Sequence, residues 1–116
     1  MNEKTSNKER CILYLEKYAK KDLAGVGELF AEDIILRDWK IRVVGKENAL
    51  AETQKNFEAV HSLDIAILEL HESESTLVAE LRINVDAEVL YVVDIITFNL
   101  KGQITSIRAY KGRGDN

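Results

Sequence analysis

The sequence predicts an α+β fold in which three N-terminal helices pack on one face of a strongly curved, mostly antiparallel sheet. In the first half of the chain, hydrophobic residues recur every three or four positions, which is the spacing of one helix face. In the second half they alternate with polar residues, as in strands that bury one face. A sheet bent around helices leaves a conical pocket between the two layers, and we expect the functional side chains to face that pocket.

Length and composition predict a single globular domain. The chain has 116 residues, of which 46% are hydrophobic and 31% are charged, as is typical of a folded protein with one core. We expect this domain to span residues 7–112, with flexible tails at 1–6 and 113–116.

The composition argues against several classes of protein. No apolar stretch approaches the roughly 20 residues that cross a bilayer, and residues 1–10 lack the apolar core of a signal peptide. The net charge of −4 and the dispersed Lys and Arg residues argue against nucleic-acid binding. The single Cys11 cannot form an internal disulfide, and no ligand set completes a metal site around His61 and His71. We therefore expect a cytoplasmic protein that binds no membrane, no nucleic acid and no metal.

Three helices are predicted from the hydrophobic spacing. The first begins at about Asn7 and ends near Lys20, and the second is short and begins after an Asp22 N-cap. The third covers Lys46 to about Val60, after Gly45 breaks the preceding pattern. Each helix is predicted to bury one face. The first buries Cys11, Tyr14, Leu15 and Tyr18, the second Leu23, Val26, Leu29 and Phe30, and the third Ala49, Leu50, Thr53 and Phe57.

The strands are predicted as one early hairpin and a later antiparallel meander. The hairpin, at residues 34–39 and 41–44, lies between the second and third helices. The meander comprises strands at 62–70, 76–85, 88–100 and 103–110, and its last turn is a tight hairpin at Lys101-Gly102. In its first strand we expect Leu63, Ile65, Ile67 and Glu69 to share one face.

Asp94 lies at the centre of the most apolar run in the chain, residues 90–98. Alternation along a strand places it on the same face as Val92, Ile96 and Phe98. An ionised carboxylate on an apolar face is costly unless it is paired or becomes protonated. Two interpretations stay open: Asp94 forms a structural pair with Arg108 or a buried tyrosine, or it is a neutral acid that donates a hydrogen bond.

Two other polar side chains are predicted to face the same space. Asp38 shares a strand face with Ile34 and Leu36, and Tyr14 lies on the buried face of the first helix. A buried tyrosine normally needs a partner for its hydroxyl group. Taken singly, Tyr14 is explained by core packing and Asp38 by a strand end. Together with Asp94 they indicate a cavity that could carry out proton transfer.

Three segments of the chain resemble a known family. The segment Asp22–Asp33, the helix start Gly45–Ala49 and the closing hairpin Asp94–Tyr110 are similar to SnoaL-like and ketosteroid-isomerase-like members of the nuclear-transport-factor-2-like (NTF2-like) superfamily. The resemblance extends from about Cys11 to Gly112. It implies the cystatin-like, or NTF2-like, fold, in which helices and a curved sheet enclose a conical pocket.

The resemblance also implies a mechanism. Tyr14 lies eight residues before Asp22 and Asp38 sixteen after it, similar to the spacing of the ketosteroid isomerase site, and Asp94 matches that enzyme's aspartate at the start of the last hairpin. By resemblance, Asp38 would remove a proton α to a carbonyl group, while Tyr14 and a protonated Asp94 would donate hydrogen bonds to the enolate oxygen. No metal or organic cofactor is implied.

The resemblance leaves other functions open. One is a non-catalytic module that binds an apolar small molecule or a protein, and another is a SnoaL-type polyketide cyclase or hydrolase. Trp39 follows Asp38 where the family usually has Pro, which predicts a reshaped pocket mouth. A homodimer formed through the outer face of the sheet is implied as well. The residues predicted to line the pocket are Trp39, Tyr18, Phe30, Phe57, Val92 and Ile96.

Overall fold

In the computed structural model, which describes residues 5–115, three helices cover one face of a six-stranded sheet. The helices are α1 (Asn7–Ala19), α2 (Leu23–Leu29) and α3 (Lys46–Ala59). The strands are β1 (Phe30–Arg37), β2 (Arg42–Val44), β3 (Leu63–Ser73), β4 (Thr76–Val85), β5 (Glu88–Phe98) and β6 (Ile104–Lys111). The predicted α+β class and the order of the elements are confirmed. None of the helices in the described range has the length and hydropathy needed to span a bilayer.

The sheet joins the early hairpin to the later meander in the order β2-β1-β6-β5-β4-β3. The four strands β3 to β6 are antiparallel, as predicted, whereas β1 pairs with β6 in parallel. In this register Arg37 is opposite Arg108, and the next residue of β6, Ala109, is opposite Asp94. The end of β1 therefore lies two strands away from Asp94.

Helix α1 begins at a capping box. The Glu9 amide donates to the Ser6 hydroxyl at 3.0 Å, and the Ser6 amide donates to the Glu9 carboxylate at 2.9 Å. The helix ends at Ala19, and Lys21 has a positive φ of 57° beyond it. Its buried face holds Cys11, Tyr14 and Leu15. The predicted boundaries and the predicted core position of Cys11 are confirmed.

Helix α2 has seven residues and α3 has fourteen, and each begins at a residue suited to a helix start. Asp22 caps α2, because its side chain accepts a hydrogen bond from the Gly25 amide at 2.9 Å. Gly45 precedes α3 with a φ of 95°, a backbone conformation that favours glycine. The predicted N-cap and the predicted break at Gly45 are both confirmed. The buried positions of α3 are Ala49, Thr53 and Phe57.

Strand β1 begins earlier than predicted. The expected strand was 34–39, but the chain becomes extended at Phe30, directly after the end of α2. Its pairing with β2 and β6 ends at Arg37. Asp38 and Trp39 therefore lie in the loop that joins β1 to β2. The prediction that Asp38 occupies the strand face of Ile34 and Leu36 is wrong, because the strand ends one residue before it.

Strand β3 is longer than predicted and contains a bulge. It continues to Ser73, and its register with β4 shifts between Ile67 and Glu69. One extra residue reverses the alternation of the side chains that follow. Before the bulge, Leu63, Ile65 and Ile67 line the same groove beside α1. After it, Leu70 packs against the core and the Glu69 side chain is exposed. The predicted shared face of Leu63, Ile65, Ile67 and Glu69 is wrong from the bulge onward.

The hairpin between β5 and β6 is the last turn of the meander. It passes through residues 99–103, where Gly102 has a φ of 80°. The predicted position of the turn is confirmed, but the connection spans five residues rather than the tight Lys101-Gly102 hairpin expected, because β5 ends at Phe98 and β6 begins at Ile104. The core lies between the helices and the concave face of the sheet, and its largest fully buried side chains are Phe30, Ile34, Leu77, Leu81, Ile96, Ile104, Ile107, Val26 and Cys11.

The capping box predicts a measurable contribution to stability. Ser6→Ala removes the acceptor for the Glu9 amide, and we expect it to lower the free energy of unfolding by about 1 kcal/mol. Urea denaturation followed by circular dichroism measures this change. Thr5→Ala, one residue earlier and without a capping hydrogen bond, is the matched control and should change stability little. Equal effects of the two substitutions would contradict the assignment of Ser6 as the cap.

Candidate active site

A cavity of about 350 Å³ lies between the helices and the concave face of the sheet. Tyr14 from α1, Asp38 from the loop after β1 and Asp94 from β5 all line it. The three polar residues that the sequence singled out therefore share one space. Most of the surrounding side chains are apolar, so the cavity suits a largely apolar ligand.

Asp94 is buried in the wall of this cavity, with only 8% of its surface exposed. Its neighbours on the adjacent strands are Ala79 and Ala109, whose small side chains leave room beside the carboxyl group. Arg108 is opposite Ile95 and so belongs to the other face of the sheet. Within residues 5–115 the Asp94 carboxyl group makes no hydrogen bond or ion pair, so the structural pair with Arg108 or a tyrosine is not formed.

Burial and, to a smaller extent, repulsion from the Asp38 carboxylate together raise the pKa of Asp94 to about 7. Burial is the larger cause, because the charged form loses its hydration and gains no partner. At neutral pH a large share of the molecules therefore hold Asp94 as a neutral acid. A neutral carboxyl group can donate a hydrogen bond into the cavity, which an ionised one cannot.

Tyr14 is a second donor without a protein partner. It is 5% exposed, and its hydroxyl group makes no hydrogen bond to another residue of the described chain. Burial, followed by the negative charge of Asp94, raises the pKa of Tyr14 well above its usual value, so the phenol keeps its proton. Its ring packs against Tyr18 and Phe30, with ring centroids 5.9 and 6.1 Å away.

The loop of residues 38–41 holds one oxygen of Asp38 in place. Its Oδ1 accepts hydrogen bonds from the amides of Lys40 at 2.7 Å and Ile41 at 2.9 Å. The Asp38 amide in turn donates to the Ile41 carbonyl at 2.9 Å. This is an Asx-type turn, in which the side chain replaces a backbone acceptor. The Oδ2 atom makes no hydrogen bond to the rest of the described chain and remains available to a ligand.

The predicted lining residues divide into two groups. Trp39, Tyr18, Phe57 and Val92 line the cavity, as predicted. Phe30 and Ile96 lie instead in the closed core, with 2% and 0% exposure, so their predicted place in the lining is wrong. Ile96 lies further along β5 than Asp94, where side chains of the helices and the sheet pack directly together and the cavity ends.

Tyr18 was predicted only as a residue of the pocket lining, but its hydroxyl group also takes part in a polar contact there. It accepts a hydrogen bond from the Asn56 side chain at 3.3 Å. Burial is the main cause that raises the pKa of Tyr18, and Asp94 and Asp38 raise it further, although the Asn56 bond lowers it. Asn56 was missed, since a polar residue beside the Phe57 position of a surface helix carries no distinguishing pattern.

Two other reactive residue types are not assembled into a site. Burial raises the pKa of the Cys11 thiol to about 12, with a further contribution from Asp94, so the thiol stays protonated. His61 and His71 are both exposed, and His71 lies 3.6 Å from Glu69. Among residues 5–115, no group of three or more His, Cys, Asp or Glu side chains could hold a metal ion.

The family model described as SnoaL-like domain matches residues 13–107, which is most of the chain. The protein therefore belongs to the SnoaL-like domain family, as the sequence motifs indicated. No curated protein matches the sequence.

Solved structures show the same fold. An NTF2-like protein of unknown function from Cytophaga hutchinsonii has a TM-score of 0.82 at 12% identity, covering 97% of this chain and 95% of that one. A candidate ketosteroid isomerase from Kribbella flavida has a TM-score of 0.81 at 13% identity, covering 95% of this chain and 80% of that one. An epoxide hydrolase from M. tuberculosis has a TM-score of 0.77 at 13% identity, covering 91% of this chain and 82% of that one. At these identities the similarity establishes the NTF2-like fold alone.

The raised pKa of Asp94 predicts a pH-dependent effect of Asp94→Asn on stability. Between about pH 4 and pH 7 the folded protein holds a proton that the unfolded chain releases, so this group lowers stability as the pH rises through that window. Asn is neutral throughout. The free energy of unfolding of Asp94→Asn, taken relative to that of the wild type, should therefore be higher at pH 8 than at pH 4 by about 2–4 kcal/mol. Urea denaturation of both proteins at the two pH values measures this difference.

Comparing the stability difference between variant and wild type at two pH values removes any effect of the substitution that does not depend on pH. Asp33→Asn, which alters an exposed carboxylate of β1, is the matched control and should keep the pH dependence of the wild type. A stability difference between Asp94→Asn and the wild type that is the same at pH 4 and pH 8 would contradict the protonated state of Asp94.

Proposed function

We propose that this protein is an enzyme that transfers a proton on an apolar carbonyl compound, through an enolate intermediate and without a cofactor. The observation that carries the proposal is the unpaired, buried Asp94, which faces the same apolar cavity as the Asp38 carboxylate. Two carboxyl groups in one low-dielectric space favour different protonation states, and such a pair supplies an acid and a base.

Asp38 has the position of the base. The loop fixes its Oδ1 atom, while Oδ2 is available to accept a proton from the carbon next to the substrate carbonyl. The electron pair of the broken C–H bond then forms a C=C bond, and the carbonyl oxygen becomes an enolate oxygen. Asp38 returns the proton to another carbon of the conjugated system, so the reaction is an isomerisation with no net change in protons.

Tyr14 and Asp94 have the positions of the oxyanion donors. Both are nearly buried, both carry a proton that no other described residue accepts, and both are held by packed elements rather than by loops. Donors that are already oriented stabilise the charge that develops on the carbonyl oxygen more than water does. Removing one such donor typically lowers the rate by about 10²–10³-fold.

The reaction keeps the charge of the cavity constant. Before the reaction the negative charge lies on Asp38, and after proton abstraction it lies on the substrate oxygen near Asp94. Because Asp38 then becomes neutral, its repulsion no longer acts on Asp94 or on the enolate. A neutral Asp94 does not repel the negative charge on Asp38 or on the enolate, whereas an ionised Asp94 would repel both.

An enolate mimic tests the donor pair directly. A naphthol, whose oxygen resembles an enolate oxygen in size and charge, is expected to bind the wild type and to bind Asp38→Asn at least as tightly, since that variant removes the competing negative charge. Tyr14→Phe and Asp94→Ala should each weaken binding by about tenfold or more. Fluorescence titration measures the affinities. Val44→Ala, on the exposed strand β2, is a control that should bind like the wild type.

Proton exchange tests the base. With a cyclic ketone in deuterated water, the wild type should accelerate exchange of the α-hydrogens, and Asp38→Asn should lower that rate by about 10²–10⁴-fold. Nuclear magnetic resonance follows the exchange. Naphthol binding that is lost in Tyr14→Phe and Asp94→Ala, without any exchange by the wild type, would favour the non-catalytic binding module. No naphthol binding at all would overturn both the donor pair and the enzyme.

A further inference from the structure

Tyr18 carries a hydrogen-bond donor that the proposed reaction does not use. Its oxygen accepts a hydrogen bond from the Asn56 Nδ2 atom, so its own proton is not needed in that contact. No other residue in the described range accepts this proton. The Tyr18 side chain is half-buried and lines the cavity, so its free proton is available to an acceptor atom of a ligand.

The ring of Tyr18 is held in a fixed position beside the proposed donor pair. It lies one helical turn after Tyr14 on α1, with the two ring centroids 5.9 Å apart. Phe57 of α3 packs edge-on against it at 4.9 Å. The two phenols are therefore neighbours, and both line the same cavity.

The surroundings determine what kind of atom Tyr18 can bind. The charges of Asp94 and Asp38 both act on its hydroxyl group, and Glu52, Glu88 and one cation, Lys40, also line the cavity. Because acidic side chains outnumber the single lysine in the lining, a neutral acceptor is favoured over an anionic group. An apolar ligand without an acceptor would cover the Tyr18 hydroxyl and leave its donor unsatisfied.

We propose that the ligand of this cavity carries two oxygen functions, an enolisable carbonyl bound by Tyr14 and Asp94, and a second neutral oxygen bound by Tyr18. Asn56 is a positioning residue, because its hydrogen bond directs the Tyr18 hydroxyl. The inference rests on the proposed function, since it takes the carbonyl oxygen as the first of the two. The substrate class is then a hydroxy ketone, an alkoxy ketone or a diketone with an apolar framework.

Two probes that differ by one hydroxyl group test this inference. The first is β-naphthol, and the second is a naphthalenediol that carries its second hydroxyl on the far ring. The wild type should bind the diol about three- to tenfold more tightly than the naphthol. A symmetric diol gains about twofold from its two equivalent orientations alone, so the ratio must exceed that value. Fluorescence titration gives both affinities.

The ratio of the two affinities distinguishes recognition by Tyr18 from a general change in the fold. In Tyr18→Phe the ratio should fall to about two, and in Asn56→Ala it should fall in the same direction. Gln54→Ala, on the same helix but outside the cavity lining, is the matched control and should keep the wild-type ratio. Tyr14→Phe should weaken both probes equally and so leave the ratio unchanged.

The outcomes separate this inference from the proposed function. If the wild type binds naphthol but shows no preference above about twofold for the diol, the second oxygen site is overturned and the donor pair stands. A preference that persists in Tyr18→Phe also overturns it, because another residue must then bind the second oxygen. If neither probe binds, both proposals fail.

Discussion

The site depends on one electrostatic constraint, which is that the buried wall around Asp94 cannot easily hold a second negative charge beside that of Asp38. Asp94 and Asp38 line the same cavity, and within the described residues neither carboxyl group forms an ion pair, although Lys40 also lines the cavity. The Asp94 carboxyl group tends to keep its proton, because it is buried and lies near the Asp38 carboxylate. Burial likewise raises the pKa of both tyrosines, so Tyr14, Tyr18 and Asp94 are the hydrogen-bond donors that this wall presents.

The features that local sequence pattern determines were predicted well. The apolar run around Asp94 specifies a strand whose alternation requires the carboxyl group to face inward, and burial confirms this. The spacing of Cys11, Tyr14 and Leu15 specifies one helix face, and the Asp22 cap marks the next helix. Each of these signals comes from neighbouring residues, so no distant contact is needed to interpret it.

The features that depend on distant contacts were not predicted. The end of β1 is set by its parallel pairing with β6, far away in the sequence, and this places Asp38 in a loop. The bulge in β3 appears only in its register with β4, so Glu69 was assigned to the wrong face. The contact between Tyr18 and Asn56 joins two helices across the cavity, and no spacing in the sequence marks it.

The loop of residues 38–41 has a consequence for how this site can change. The proposed base belongs to a hairpin connection whose own hydrogen bonds determine its shape, and Trp39 and Lys40 within it are exposed. The donors Tyr14 and Asp94 belong instead to the packed core. Substitutions in the loop can therefore move the base relative to a bound ligand at little cost in folding, while the oxygen-binding wall stays fixed. The base thus lies where substitutions cost little folding free energy, and the donors lie where substitutions would disturb the core.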